Sequence, residues 1–496
     1  MTVTTIPGSS TVDAGELIST SPTTGQEVGR LPVASEADVK AAVAQAREAG
    51  RWWAGLGFAE RKKRLLRWRA ALVAKIHELA DLTNREGGKP VDEAILEVFV
   101  SVDHIAWAAK HARKTLKSRR VGGSLIQPEY SGRLEYQPYG VVGVIGPWNF
   151  PIFTPMGSIA YALAAGNAVV FKPSEFTPAI GQFYVDLFAQ VVPERPVLQI
   201  VHGMGDVGAA LCRAGVDKIS FTGSPATARK VMAACAETLT PVLIEGGGKD
   251  AVIVAEDADV DAAAESIAWG ANFNAGQACV GIERAYVHER VYDRFLAKLV
   301  SESQNINPGK EIGPITMPGQ REIIKRHIDT ALASGGRAVL GGPDSVKDQF
   351  VKPTILVDVP EDSATVREET FGPTLTVAKV STVDEAVKLA NDTDYGLGSA
   401  VFSRRHGMEI ARKLRTGMTS INSTFSFAVL PSLPFGGVGN SGFGRIHGQD
   451  GLREFARAKA IAKRRLPSIP ALLTFHRTPG GVKLGLRVIK MLHGRG

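Results

Sequence analysis

The chain has 496 residues, 44% of them hydrophobic and 22% charged, with a mean hydropathy of +0.01 and a formal charge of +8. That length implies two or three domains. Three cysteines exclude a disulfide scaffold and fit a reducing cytoplasm, and the polar residues 1–21 carry no basic-plus-apolar leader. The charge excess is local. Lys463, Arg464, Arg465, Arg477, Lys483, Arg487, Lys490 and Arg495 equal the whole of it, with no Asp or Glu among them. The rest is near neutral, with no aromatic-interleaved basic stripe or zinc-knuckle spacing, so no nucleic-acid partner is expected.

In chain order, helical periodicity dominates 36–115. Residues 133–139 alternate, as in one strand of an extended ribbon. Residues 139–171 hold no charge, long enough to raise a membrane span. Their Gly, Pro and Asn content reads better as strand, loop, helix and strand. Apolar runs at 141–145, 168–172, 197–201, 218–221 and 251–254 each precede a turn and a helical pattern, which predicts a parallel sheet covered on both faces. A second such series runs through 285–287, 339–340, 354–359, 374–380, 399–402 and 419–422. Two α/β domains in tandem are the economical reading. Residues 458–465 suit either the ribbon partner or an intersubunit strand.

The loops between these elements carry the chemistry. Pro147-Trp148-Asn149-Phe150-Pro151 is stiffened by two prolines and presents the Asn149 amide, a donor suited to a developing oxyanion. Phe171-Lys172-Pro173-Ser174-Glu175 delivers Lys172 and Glu175 to a strand's carboxyl end, where nucleotides bind in open sheets. A carboxylate there accepts ribose hydroxyls and repels a 2′-phosphate, which favours NAD and leaves NADP possible. Gly203-Met204-Gly205-Asp206-Val207-Gly208 is a literal GxGxxG, read equally as a supporting loop near a cofactor or a structural turn. Phe221-Thr222-Gly223-Ser224 sets a hydroxyl and free N–H groups at a helix start, suited to a pyrophosphate. Glu245, after an apolar strand and before Gly246, Gly247, Gly248 and Lys249, is a candidate base whose burial raises its pKa. Cys279 closes the run Phe273-Asn274-Ala275-Gly276-Gln277-Ala278-Cys279, a small-residue loop whose backbone N–H groups favour thiolate; the alternative is a buried structural thiol. Glu368-Glu369-Thr370-Phe371-Gly372-Pro373 is an acidic turn into a strand. Ten histidines show no HExxH or other metal spacing, so no metal is expected.

Taken together, these motifs, with Pro434-Phe435-Gly436-Gly437 and Ser441-Gly442-Phe443-Gly444-Arg445, resemble the NAD(P)-dependent aldehyde dehydrogenase superfamily over nearly the whole chain. The resemblance implies an α/β, aldehyde-dehydrogenase-like fold: a Rossmann-type cofactor domain (1–118 and 139–247), a second α/β catalytic domain (248–454), oligomerisation strands (119–138 and 455–470) and a basic tail (471–496). It implies a homodimer or homotetramer. It implies that Cys279 attacks a small-molecule aldehyde, that Asn149 holds the oxyanion, and that Glu245 activates water to release the acid from a thioester. Trp148, Lys172, Glu175, Gly223, Ser224, Gly246, Glu369 and Phe371 become the cofactor contacts.

Three features depart from the family pattern. Gly246 stands where Leu usually follows the Glu and is expected to loosen the base loop. Asp250 replaces a common Pro, and Ala228 a usual Gly near a helix start, where its methyl is expected to alter cofactor fit. No Arg or Lys lies within 151–156 to hold a distal carboxylate. Phe150, Phe153, Met156, Phe425 and Phe427 are candidates for an apolar tunnel or for core, so apolar aldehydes, aliphatic or aromatic, are the expected substrates and succinic semialdehyde the alternative. The rival classes are a cofactor-free thiol esterase and a catalytically silent member of the fold. The tail from 481 to 493 reads as weakly amphipathic, with Lys483, Arg487 and Lys490 on one face beside Leu484, Val488 and Met491. Peripheral membrane contact or packing on a neighbouring subunit are its two readings.

Overall fold

The structure is a computed structural model that describes residues 8–122, 129–466 and 474–494. Parts of the expected oligomerisation and tail segments (123–128, 467–473 and Arg495) lie outside the described residues. Four helices fill the region of helical periodicity: Glu36–Gly55, Gly57–Ala74, Ile76–Gly87 and Val91–Leu116. Ser35 opens the first with a reciprocal capping box to Asp38. Before them lies a three-stranded antiparallel sheet, Ser10–Asp13, Glu16–Thr20 and Glu27–Pro32, which the sequence pattern did not announce.

The first large sheet explains the uncharged stretch. Val141–Ile145 and Ala168–Lys172 are parallel neighbours, and the helix Phe153–Ala165 crosses between them. All three are buried, which is why no charge interrupts them before Lys172 at the end of the second strand. Among the described residues no helix is long and apolar enough to cross a membrane. The sheet runs Gly442–Phe443, Val242–Glu245, Lys218–Thr222, Val141–Ile145, Ala168–Lys172, Leu198–Ile200. Its five longer or central strands are parallel, and Gly442–Phe443 joins antiparallel at the edge. Chain order reverses between Val141–Ile145 and Lys218–Thr222, so the carboxyl ends of these two strands flank a crevice, the place where doubly wound sheets bind nucleotides.

The second sheet has seven strands, ordered Arg337–Leu340, Thr354–Val357, Thr374–Val380, Ile282–His288, Asp250–Val254, Ser399–Phe402, Ser420–Ile421. All its pairs are parallel except Arg337–Leu340 with Thr354–Val357. Phe425, Phe427, Phe435, Ile446, Leu452 and Phe455 belong to the core of the first sheet, not the second. The reason is the edge strand Gly442–Phe443, which carries its neighbours across.

The ribbon residues form Tyr130–Pro138, flanked by Arg119–Val121 and by Ala456–Arg464 in antiparallel register from Ala456 opposite Pro138 to Arg464 opposite Tyr130. The segment 458–465 is thus the ribbon partner within the chain. All but the first residue of Ala456–Arg464 are exposed.

Candidate active site

Three loops at the carboxyl ends of the first sheet meet the loop that precedes Ile282–His288. The meeting is held by named bonds. Asn149, buried, donates from Nδ2 to the Gln277 carbonyl at 3.0 Å. Asn274 Nδ2 donates to the carbonyls of Asn149 (3.0 Å) and Gln277 (3.1 Å). Gln277 in turn donates to the Asn274 and Pro314 carbonyls and accepts from Thr316 N–H. The Glu93 carboxylate accepts from Asn274 N–H. Asn274, Ala275 and Gly276 are all left-handed, at φ 51°, 54° and 71°. Ala275 in that region is strained, by roughly 1–3 kcal/mol, and the bonds around it hold the strain. At Gly276 a Cβ would lie 2.2 Å from the Gly372 backbone, so only glycine lets the two loops touch.

This tight turn carries Cys279, half-buried. Its thiol differs from the sequence expectation. Burial, then the charge of Glu245, pushes it well above the ordinary cysteine range, so the thiol form is held. Glu245, the last residue of Val242–Glu245, is buried. Neither of its carboxyl oxygens has a partner at full hydrogen-bonding geometry. The Cys279 thiol and Thr222 hydroxyl lie at looser range and favour the anion weakly, but burial dominates and raises its pKa to about 7. An unpartnered buried carboxyl beside a thiol has no structural explanation of its own, and a pKa near neutrality suits a base.

The base loop is pinned, not loosened, and the expectation for Gly246 is corrected. Gly246 N–H donates to the Ser441 carbonyl at 3.0 Å. Ser441 Oγ donates to the Gly247 carbonyl at 2.7 Å and accepts from Gly396 N–H at 3.0 Å. A Cβ on Gly246 would stand 2.6 Å from the Asn440 carbonyl oxygen and 3.3 Å from Ser441 Cα. The space of a side chain is occupied by the backbone of the 440–441 turn. Asp250 adds a tie by accepting from Gly398 N–H at 3.0 Å. Replacing Gly246 with Leu, the family's usual residue, should therefore part these backbones. The expected cost is about 1–3 kcal/mol in urea unfolding, together with a fall of about ten-fold or more in kcat. Unchanged stability and rate would show that the turn yields freely.

The residues expected to contact a cofactor lie at strand ends and turns of the first sheet and on the turn 368–373. Lys172 is buried and donates to the Pro173 carbonyl at 3.0 Å, with Glu175 Oε2 at 3.5 Å. Gly208, the third glycine of the GxGxxG, lies where its Cβ would sit 3.6 Å from Lys172 Cδ, which favours the supporting-loop reading of that motif. Gly223 N–H donates to the Glu245 carbonyl at 3.1 Å. Ser224 caps the helix Pro225–Ala236, accepting from Thr227 N–H at 3.3 Å. Ala228 is buried in the first core. Glu369 accepts from Gly248 N–H at 2.9 Å, and burial followed by Glu283 raises its pKa to about 8. A Cβ on Gly247 would overlap the Glu369 carboxylate at 2.2 Å. Phe371, at φ 51°, meets the edge of Trp148 at 5.4 Å between centroids. A carboxylate beside a buried lysine at a strand's carboxyl end, a capped helix N-terminus and a second acidic turn fit a dinucleotide.

Sequence reasoning missed the residues that hold these loops. Glu283 accepts from Thr370 and Phe371 N–H and pairs with buried Lys249, fixing the turn that carries Glu369. The available signal was a Glu inside a strand buried at every position. Gln277, Glu93 and Ser441 gave no comparable signal.

The aromatic candidates divide. Phe150, Phe273, Phe425 and Trp269 form a continuous cluster with centroid separations of 4.6–5.7 Å. It starts beside Asn149 and ends at Trp269, which is 51% exposed. Lys89 lies over the Phe150 ring and is neutralised by an ion pair with Glu97. Phe153 instead packs on His104 and His447. Met156 is fully buried, and Phe427 is buried against Phe435. For these two the core reading holds.

A doubly wound sheet with a dinucleotide crevice, closed by a second α/β layer bearing a cysteine, defines a nicotinamide-dependent oxidoreductase. The chain belongs to the aldehyde dehydrogenase family, whose model matches residues 11–461. It is 38% identical over 444 residues to 4,4'-diapolycopene aldehyde oxidase of Methylomonas sp, covering 88% of this chain and 83% of that one. An NAD-dependent aldehyde dehydrogenase from Sinorhizobium meliloti superposes with a TM-score of 0.88 at 33% identity, covering 94% of this chain and 95% of the other. PnpE from Pseudomonas sp. WBC-3, solved in complex with nicotinamide adenine dinucleotide, gives 0.87 at 33% identity, with 95% and 100% covered. The protein is an NAD(P)-dependent aldehyde dehydrogenase.

Proposed function

We propose that this enzyme oxidises apolar aldehydes, aliphatic or aromatic, to their acids, with Cys279 as nucleophile, Asn149 as oxyanion donor and Glu245 as base. The observation that carries the substrate reading is the aromatic cluster from Phe150 to the half-exposed Trp269, whose neighbouring cation is already paired. Apolar area removed from water supplies the binding energy there, at about 25 cal/mol per Å².

Burial and Glu245 keep the Cys279 thiol protonated, so its proton leaves as Sγ bonds to the carbonyl carbon. Glu245 is the acceptor within reach. The oxygen of the resulting thiohemiacetal carries negative charge, and the Asn149 amide, fixed by Gln277, offers its remaining N–H together with the Cys279 backbone N–H. Nicotinamide, when bound, accepts the hydride from that carbon, which leaves a thioester on Sγ. Once Glu245 has released the thiol's proton to solvent, it takes a proton from water, the water oxygen bonds to the acyl carbon, and the C–S bond breaks to release the acid, the proton on Glu245 passing back to Sγ.

In this reading Lys172 and Glu175 take the adenosine ribose, Gly223 and Ser224 the pyrophosphate, and Glu369 the nicotinamide ribose, with Trp148 and Phe371 beside the ring and Gly246 in the base loop. The Glu175 carboxylate opposes a 2′-phosphate, which supports NAD over NADP. The exposed edge of Ala456–Arg464 supports a homodimer or homotetramer, and three free cysteines support a reducing cytoplasm.

Absorbance at 340 nm with hexanal, benzaldehyde and succinic semialdehyde tests the reading, with NAD and NADP compared. Expected is a kcat/KM for hexanal or benzaldehyde at least about ten-fold above that for succinic semialdehyde, a difference of about 1.4 kcal/mol. Comparable efficiency on succinic semialdehyde would remove the apolar preference and restore the alternative, a substrate class also represented among relatives at 35% identity.

A further inference from the structure

The helix Pro479–His493 stands apart from both cores. Gly485 is its one buried residue. At 3.6 residues per turn, Lys490, Lys483 and Arg487 fall in one arc of about 60°. Met491, Leu484, Val488, Leu492, Ile489 and Leu486 fill the opposite arc of about 220°. His493 falls within the wide arc and Met491 adjoins Arg487, so the segregation is imperfect, as the spacing implies. Gly485, at the middle of the wide arc, is buried, while the apolar side chains around it stay open: Leu484 is 48%, Leu486 52%, Ile489 42% and Met491 73% exposed. Contiguous apolar exposure of this kind calls for a covering surface.

We infer that this helix lies in the surface of an anionic phospholipid bilayer. Three observations choose that occupant. From Phe455 to Gly496 there is no Asp or Glu, so the segment is cationic throughout and complements phosphate headgroups. The narrow cationic arc borders the wide apolar one, so a single orientation sets the apolar side at the acyl boundary and the ammonium and guanidinium groups at the headgroups. Fifteen residues make about 22 Å of helix, enough to lie in the interface and too short to span a hydrocarbon core of about 30 Å. The inference does not depend on the substrate reading, although a surface location places the enzyme where apolar aldehydes partition.

The test is flotation of the full chain with vesicles of phosphatidylcholine containing phosphatidylglycerol, against phosphatidylcholine alone. Expected is about ten-fold more protein on the anionic vesicles, falling at high salt. The double variant Leu486→Asp, Ile489→Asp should lose that binding while its rate on benzaldehyde is unchanged. The triple variant Lys483→Glu, Arg487→Glu, Lys490→Glu should lose it with the apolar arc intact. Equal binding to neutral vesicles, or none to anionic ones, overturns the inference. A drop in oligomer mass by light scattering in the double variant, with no vesicle binding by the parent, overturns it in favour of a subunit interface.

Discussion

Cys279→Ala is expected to abolish NAD(P) reduction, by on the order of 10⁴-fold or more in kcat, about 5 kcal/mol of barrier. Every step of the proposed route passes through Sγ, and no second thiol can substitute, since Cys212 and Cys235 are buried in the first core. The fold should not notice the change. The nucleophile loop is held by Asn149, Asn274, Gln277 and Glu93, none of which bonds to the thiol. Circular dichroism and thermal unfolding should therefore match the parent, as should nucleotide binding by fluorescence. Residual reduction within about ten-fold of the parent would remove Cys279 as nucleophile. Loss of nucleotide binding as well would mean that the thiol supports the crevice.

Glu245→Gln separates chemistry from stability. Removing the base should slow turnover by about 10²–10⁴-fold. Thioester hydrolysis is the step expected to suffer, so rapid mixing should show a burst of reduced cofactor followed by a slow phase. In the parent, kcat should rise as pH passes up through about 7, where Glu245 ionises, and the variant should lack that limb. The stability effect has the opposite sense. The folded-state pKa lies above the unfolded value, so the parent carboxyl stays protonated in the fold while the unfolded chain ionises. Its stabilising contribution is full at pH 4, below the unfolded pKa, and is lost as pH rises through about 7. Gln is neutral throughout, so at pH 8 the variant should be the more stable, by at most about 3 kcal/mol, and at pH 4 the two should agree. A variant less stable than the parent at pH 8 would mean that the carboxylate is partnered within the fold. A normal burst with normal turnover would assign the base elsewhere.

The alternation of buried strands with helices was legible because burial on both faces leaves runs such as 141–145 and 168–171 without a polar residue. The groups proposed to react could be picked out because their loops are short: Asn149, Glu245 and Cys279 each end or follow an element that fixes their place. Gly246 shows where that reading stops. A missing side chain looks like slack in one dimension, whereas in the fold the 440–441 backbone fills the space and supplies the hydrogen bonds. Glu283, Gln277 and Ser441 act in the same way, holding loops far from them in sequence.

The sequence by itself determined the two α/β series, the family, the local chemistry of each turn and the cationic character of the tail, all of which depend on neighbours along the chain. Tertiary structure alone decided that buried residues between 425 and 456 join the first core, the raised pKa values of Cys279 and Glu245, which aromatics meet in the cluster from Phe150 to Trp269, and the exposure of the last helix. Each of these depends on what is removed from water by residues hundreds of positions away, and desolvation has no signature in local sequence.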